Sequence, residues 1–396
     1  MPLPRFASPV DTAGFGEYRI HRRPDDPRPL LRFHGRIGGP ATAPAAGRYH
    51  LYGGRFCPWS QRVDITRRLA NLTEVVSLSY VDDERDGRGW AFRPARGPDP
   101  VNGFALLREA FEATEPGFDG HVSVPALWDR EHRRLVSNDS DGIAVDLATR
   151  FTAVSTPIVD TYPVALRPEI DALHGWLGPA VNNGVSLAAR HRAGGVAAAA
   201  RDALLWTFAT LDRRLGGSRY LLGDALTQAD IRLWVALVRY DVGPNATRSI
   251  NGGLAAYPNL WAYARDLYRV PAFRDTTDFA SFTAEGAEIP KPIHVFQKSG
   301  KVVFAYGDAA ATDAVSPGNK LGDAADYTAA RDSLGDYDIS FFLLTQPILD
   351  LVESTGAATD ADWQKAKPYL EPLNALVGGT SGDGDSLRSA VKLIVK

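Results

Sequence analysis

The stretch that decides the fold of the first half of the chain is RYHLYGGRFCPWSQRVDITRRL, residues 48–69. It runs from a β-rich segment, Tyr49 to Tyr52, through a Gly-Gly loop into a helical pattern that we predict over Ser60 to Leu72. Cys57 lies between the loop and the helix, and Pro58 falls in the first helical turn. This order of elements predicts an α/β domain.

Cys57 occupies a chemically useful position. A helix N-terminus presents N–H groups and a partial positive charge that stabilise a thiolate over a thiol, and Arg55 and Arg62 add positive charge nearby. It is the only cysteine among 396 residues, which excludes an internal disulfide and zinc sites built on several thiolates. Ser60 stands where a dithiol motif has its second cysteine, so we predict a nucleophilic monothiol that an external thiol regenerates. The alternative is a buried cysteine that packs as a small hydrophobic residue.

A proline enters a predicted hairpin further along the chain. Val124 to Trp128 and Arg134 to Val136 form the two β-rich runs of this hairpin. Pro125 stands at the entrance to its first strand, which predicts a cis peptide bond that offers the backbone of Val124 to an extended ligand. The alternative is an ordinary proline on an edge strand.

The next segment, Asn138, Asp139 and Ser140, predicts the start of a helix. Side-chain acceptors and N–H groups at such a position bind the charged ends of small ligands. The alternative is that these residues only cap the helix.

Residues 165 to 275 read as one helix after another, so this part is predicted to be all-α. Predicted helices cover Gly195 to Leu215, Thr227 to Tyr240 and Tyr257 to Leu267. Thr227 and Asp230 form an acidic variant of the capping box at the start of the second of these.

The composition is that of a soluble globular protein, with 44% hydrophobic and 23% charged residues. A formal charge of -3 indicates neither nucleic acid nor anionic lipid as a partner. The sequence predicts no membrane span and no secretory signal, so we expect a cytoplasmic protein.

The chain divides by composition as well as by pattern. All eight lysines lie beyond residue 290, which places a boundary near 288–292. We predict an N-terminal arm at 1–47, an α/β domain at 48–150, a helical domain at 160–288 and a small α+β segment at 292–396. In this last segment, two β-rich runs on either side of residues 298–301 predict a hairpin. Helices are predicted at 324–333 and 360–376, with an apolar run at 339–344 between them and a strand-like run at 390–395.

Several motifs occur together and in order between Arg48 and Phe282: YHLY, CPWSQR, DGRGWAF, DPVNGFALLREAF, VSVPALWD, SNDSDGI, NNGV, RYLLGDALTQADIRLWVALVRYD and YPNLWAYARDLY. In this set the chain resembles the glutathionyl-hydroquinone reductases, the Xi or omega-like class of glutathione transferases. The resemblance implies a thioredoxin-like domain, a helical C-terminal domain, a homodimer, and a catalytic cysteine that glutathione reduces. The segment 292–396 lies outside it and weakly resembles part of an uncharacterised actinobacterial family, with no chemistry assigned.

The resemblance also implies individual roles. Cys57 matches the catalytic cysteine, and the residues matching thiol contacts are Trp90, Val124, Pro125, Asp139 and Ser140. Asp139 and Ser140 match the pair that holds the γ-glutamyl end. Arg108 is a further possible match to a contact with the thiol.

Three departures leave alternatives open. The family has a tyrosine where this chain has Ser186, and other family tyrosines fall near Phe282, in a stretch that reads DFASFTAEG. Their loss favours a thioltransferase or a dehydroascorbate-like reductase. The Ala-, Arg- and Asp-rich composition is typical of actinobacterial proteins, which makes mycothiol a rival to glutathione. A non-catalytic thiol-binding scaffold is the third alternative.

Overall fold

The computed structural model describes residues 4–19, 28–189, 195–287, 294–298 and 301–305. The chain divides into two compact units, Met1–Tyr162 with Asp275–Phe282, and Pro163–Arg274 with Thr283–Lys396. The N-terminal arm and the short stretch Asp275–Phe282 thus cluster with the α/β part of the chain, although we predict the latter within the helical domain.

The first unit is built on a four-stranded mixed sheet. Its strands are β1 (Tyr49–Gly53), β2 (Ser77–Tyr80), β3 (Ala126–Asp129) and β4 (Arg134–Ser137). They lie in the order β2-β1-β3-β4, with β1 and β2 parallel and the other two pairs antiparallel. This is the thioredoxin-like arrangement that the resemblance implies. Since β3 lies between two neighbours, the edge-strand reading of Pro125 is wrong.

Short helices complete this unit. They are α1 (Thr12–Phe15), α2 (Pro58–Leu69), α3 (Arg108–Thr114) and α4 (Ser140–Thr149), with 3₁₀ turns at Pro40–Thr42 and Phe279–Ser281. Helix α2 begins two residues before the predicted Ser60, because Pro58 occupies its first turn with Cys57 as the N-cap.

Both faces of the sheet are buried, because successive side chains point to opposite faces and each face packs against a hydrophobic core. Leu51 and Leu127 belong to one core, together with Val63 of α2 and Ile143 of α4. The other face carries a second core whose buried members include Tyr52, Phe92, Phe111, Trp128, Leu135 and Cys57. The site cysteine is therefore part of a packed hydrophobic cluster, not of an exposed loop.

The second unit is helical in its described residues up to 287. Its helices are α5 (Arg167–Leu177), α6 (Gly184–Ala188), α7 (Gly195–Leu215), α8 (Gln228–Tyr240), α9 (Pro258–Tyr268) and α10 (Pro271–Arg274). A π-helical stretch, Gly178–Asn183, joins α5 to α6, and 3₁₀ turns lie at Val164–Leu166 and Leu254–Ala256. No helix among the described residues of the chain is both long and apolar enough to cross a membrane.

Helix α8 is the buried helix of this unit, as its apolar circumference predicts. Trp234 is 1% exposed, packs edge-to-face on Phe273 and donates from Nε1 to the Ala264 carbonyl at 3.0 Å. The predicted capping box is present, since Thr227 caps the helix and Asp230 accepts back from the Thr227 N–H at 2.8 Å.

Beyond residue 293, the described residues form two strands, β5 (His294–Lys298) and β6 (Lys301–Ala305), which pair antiparallel. This pairing confirms the predicted hairpin. The helices and β-rich runs predicted between 324 and 395 lie outside the described residues.

The fully buried Asp230 generates the first prediction, because it accepts hydrogen bonds from the Leu221 N–H, the Thr227 N–H and hydroxyl, and the Tyr263 hydroxyl at 2.8–3.0 Å. Asp230→Ala leaves these donors unsatisfied, so we expect the free energy of unfolding to fall by about 3 kcal/mol or more in urea denaturation followed by circular dichroism.

Two variants calibrate this result. Tyr263→Phe removes one of the bonds and should cost about 1 kcal/mol. Glu285→Ala removes an exposed carboxylate of the same unit and should stay within about 0.5 kcal/mol. A loss for Asp230→Ala no larger than that for Glu285→Ala would contradict the assigned role.

Candidate active site

Cys57 is the N-cap residue of α2, in extended backbone geometry. Its N–H donates to the Gly54 carbonyl at 3.1 Å, and its own carbonyl accepts from the Gln61 N–H at 3.0 Å. The Gly54 N–H in turn donates to the Ser60 hydroxyl at 3.1 Å. These bonds fix the Gly-Gly loop against the first helical turn, so the sulfur lies at the positive end of the helix dipole.

The sulfur is close to the entrance of β3. Cys57 Sγ donates to the Val124 carbonyl at 3.5 Å, and the Cys57 side chain is 6% exposed. The Val124–Pro125 peptide bond is cis, as predicted. The structure thus brings Cys57 together with two of the predicted thiol contacts.

Trp90 forms one wall beside the cysteine. Its ring stacks on Phe56, with centroids 4.3 Å apart and an interplanar angle of 27°. Both rings pack against the same core cluster that contains Cys57. Phe56 is a site residue that the sequence analysis missed, because an aromatic residue before a cysteine carries no spacing signal of its own.

Asp139 and Ser140 lie at the start of α4, as predicted. The Asp139 carboxylate accepts from the N–H groups of Asp141 at 3.1 Å and Gly142 at 3.3 Å. Its side chain is 32% exposed, and His34 Nδ1 lies 3.8 Å from Oδ2. The carboxylate therefore caps the helix and still presents an exposed edge to a ligand.

Asn138, the residue before Asp139, fixes the start of α4 through its side-chain hydrogen bonds. Asn138 accepts from the Phe33 N–H at 3.0 Å and donates from Nδ2 to the Ser123 hydroxyl at 3.0 Å. Ser123 directly precedes Val124, so Asn138 couples the start of α4 to the strand entrance.

The two arginines expected to assist the thiolate also contact other residues. The Arg55 guanidinium lies over the Tyr80 ring, 4.4 Å from its centroid. Arg62 is fully buried and forms an ion pair with Asp141. The Asp141 carboxylate compensates the charge of Arg62, and the helix terminus is a source of thiolate stabilisation in its own right.

The N-terminal arm contributes residues that sequence reasoning did not find. The Tyr18 hydroxyl forms a hydrogen bond with His121 Nδ1 at 3.0 Å and accepts from the Val122 N–H at 3.1 Å. Burial, followed by the charge of Arg85, lowers the pKa of His121 to about 4, so its ring is neutral at neutral pH. The arm is predicted as an extended segment without periodicity, and nothing in its sequence identifies Tyr18.

One further candidate match, Arg108, and the positions that depart from the family have their own surroundings. Arg108 forms an ion pair with Glu112 at 2.8 Å and donates to the Phe118 carbonyl at 2.6 Å. Ser186 is exposed in α6. Near residue 282, Phe279 and Phe282 pack on each other with centroids 5.5 Å apart.

One group of side chains in the described part of the chain is compact enough to share a metal ion, namely Asp129, Glu131 and His132. Arg48 pairs with Asp129 at 2.6 Å and with Glu131 at 3.0 Å. Both carboxylates are thus engaged by the same guanidinium, and we assign no metal to the group.

Cys57 lies at the start of α2, close to the entrance of β3, and Asp139 caps the start of α4. This arrangement defines a thioredoxin-like thiol site. The sequence matches the glutathione S-transferase N-terminal domain over residues 56–150 and the C-terminal domain over 194–266. The glutathionyl-hydroquinone reductase PcpF of Sphingobium chlorophenolicum is 39% identical over 222 residues, which cover 54% of this chain and 69% of that protein.

Two further relatives are similar to this chain in both sequence and structure. The glutathionyl-hydroquinone reductase YqjG of Escherichia coli is 36% identical over 59% of this chain and 72% of that protein, and its glutathione-bound structure superposes with a TM-score of 0.59 over 62% of this chain and 82% of that one. The glutathione transferase Xi of Phanerochaete chrysosporium has a TM-score of 0.60 at 34% identity over 64% and 89% of the two chains. The chain belongs to the glutathione transferase family of enzymes, in its glutathionyl-hydroquinone reductase group.

Asp139 generates a prediction about its role as the cap of α4. Asp139→Ala removes the acceptor for two helix N–H groups and should lower the free energy of unfolding by about 1 kcal/mol. Asp139→Asn keeps a capping oxygen and should change it by less than about 0.5 kcal/mol. Urea denaturation of both variants checks this, and equal losses would show that the negative charge itself stabilises the fold.

Proposed function

We propose that the protein reductively removes glutathione from small quinone-type conjugates through a mixed disulfide at Cys57. The observation that carries this is the placement of the lone thiol at the N-terminus of α2, 3.5 Å from the Val124 carbonyl. A thiolate there is stabilised by the helix dipole and is the attacking species in thiol exchange.

The reaction balances in two steps. The Cys57 thiolate attacks the sulfur of the conjugate, the bonding pair of the carbon–sulfur bond goes to the ring carbon, and that carbon takes a proton. The products are the free hydroquinone and a Cys57–glutathione disulfide. A second glutathione thiolate then attacks this disulfide, releases oxidised glutathione and restores Cys57.

The described residues fit glutathione as the thiol. The exposed edge of the Asp139 carboxylate suits the ammonium of a γ-glutamyl group, and Ser140 lies beside it at the helix start. Val124 and Pro125 supply the strand entrance along which an extended tripeptide can lie, and Trp90 supplies an apolar wall. Solved relatives include a glutathione-bound transferase from Escherichia coli, which supports the same assignment.

Mycothiol stays the rival thiol. It has no γ-glutamyl end, so Asp139 would meet a sugar hydroxyl or act only as a cap. The homodimer and the cytoplasmic location implied above also stay predictions.

The thiol is identified by intact-mass analysis after separate incubation with oxidised glutathione and oxidised mycothiol. We expect a Cys57 adduct with glutathione and none in Cys57→Ser, because the chain has no other cysteine. An adduct with mycothiol alone would show that mycothiol, and not glutathione, is the thiol that the protein uses. If neither thiol forms a Cys57-dependent adduct, the redox function fails and the scaffold reading takes its place.

Ser186 favours a second candidate, a thioltransferase or dehydroascorbate-like reductase, because a phenol that could orient a quinone oxygen is replaced by an exposed hydroxymethyl group. We expect Ser186→Tyr to raise kcat/KM for a glutathionyl-hydroquinone by about tenfold or more, within the usual range for a general acid. Steady-state rates on that conjugate, on dehydroascorbate and on a mixed disulfide check this. Faster turnover of the last two by the unmodified protein, with no gain in Ser186→Tyr, would favour the second candidate.

A further inference from the structure

A column of stacked groups adjoins the cysteine. The Arg85 guanidinium carbon lies 4.3 Å from the centroid of the Trp90 ring, and Phe56 stacks on Trp90 at the same distance. Two groups this close to one ring cannot share a face without overlap, so Arg85 and Phe56 lie on opposite faces. The Arg85 guanidinium carbon is also 4.3 Å from the Tyr18 ring centroid. Arg85 is thus in cation–π contact with two aromatic rings.

The charge of Arg85 has no carboxylate partner among the described residues. The acidic residues on the same connection pair with other arginines: Asp82 with Arg93, Asp83 with Arg96, and Asp86 with Arg88. Burial lowers the pKa of Arg85, whereas the hydrogen bond to Asp86 raises the pKa of Arg88. A half-buried guanidinium with uncompensated charge is more stable once an anion pairs with it.

Two independent connections relate Arg85 to the thiol. Trp90 belongs to the cluster that contains Cys57, and its stacking partner Phe56 directly precedes Cys57. On the other side, Tyr18 accepts a hydrogen bond from the Val122 N–H, two residues before the carbonyl that accepts from Cys57. Arg85 therefore contacts both residues, Trp90 and Tyr18, that connect it to the surroundings of Cys57.

We propose that Arg85 is a specificity-determining residue that binds a carboxylate of the thiol co-substrate, with Tyr18 as its positioning residue. Cation–π contacts use none of the N–H donors of the guanidinium, so these donors are left for a bidentate carboxylate. This rests on the proposed function, in which Asp139 takes the ammonium end of glutathione. The glycine carboxylate then pairs with Arg85, a contact that uncharged mycothiol cannot make.

The test measures binding without thiol chemistry. Calorimetry on full-length Cys57→Ser compares S-methylglutathione with its glycine ethyl ester, which lacks that carboxylate. We expect the acid to bind about tenfold more tightly, as one charged hydrogen-bonded contact provides. Adding Arg85→Gln should abolish this preference by weakening the acid alone, and Arg85→Lys should retain part of it. Tyr18→Phe, which frees the ring from Val122, should reduce it partially.

Arg19→Gln is the matched control, because Arg19 is exposed, adjoins Tyr18 and carries the same charge. It should leave the preference unchanged. Equal weakening of acid and ester by Arg85→Gln would show that Arg85 only supports Trp90, and would overturn the proposal. An unchanged preference or an absence of binding would also overturn it. A missing Cys57 adduct, by contrast, would remove the redox function without altering this binding measurement.

Discussion

The start of helix α2 is the constraint on which the site depends. Cys57 has to end the Gly-Gly loop, cap the helix and reach the entrance of β3 at once. Its N–H bonds back to Gly54 while its sulfur reaches the Val124 carbonyl, so neither the loop nor the strand can shift without moving the thiol. A helix terminus placed in this way stabilises a thiolate without requiring a neighbouring base.

The walls of the site come from segments without regular structure. The connection between β2 and α3 carries Arg85 and Trp90, and the N-terminal arm lies along it. Backbone bonds from Ala7 to Phe92 at 3.0 Å and from Gly87 to Gly16 at 2.7 Å join the two segments. Loops on a rigid scaffold commonly carry binding residues, and these bonds place the arm beside the connection that carries Arg85 and Trp90.

Charge is distributed unevenly around the thiol. On the side of α4, the Asp139 carboxylate caps the helix and keeps an exposed edge. On the side of Trp90, Arg85 carries a cation in contact with aromatic rings. A zwitterionic peptide thiol complements such a pair of walls better than a neutral sugar thiol, because each of its ends finds an opposite charge.

The sequence alone determined the strand-loop-helix around Cys57, the lone thiol, the hairpin beginning at Val124 and the capping box of α8. These are local patterns, in which residues a few positions apart dictate backbone geometry and hydrogen bonding. The resemblance added Trp90 and the γ-glutamyl role of Asp139 and Ser140. Only the tertiary structure decided that Tyr18 meets Arg85, and that the charge of Arg62 is compensated by Asp141. Such contacts join residues far apart in the chain, and their partners depend on the path of an arm and a connection that have no periodicity to read.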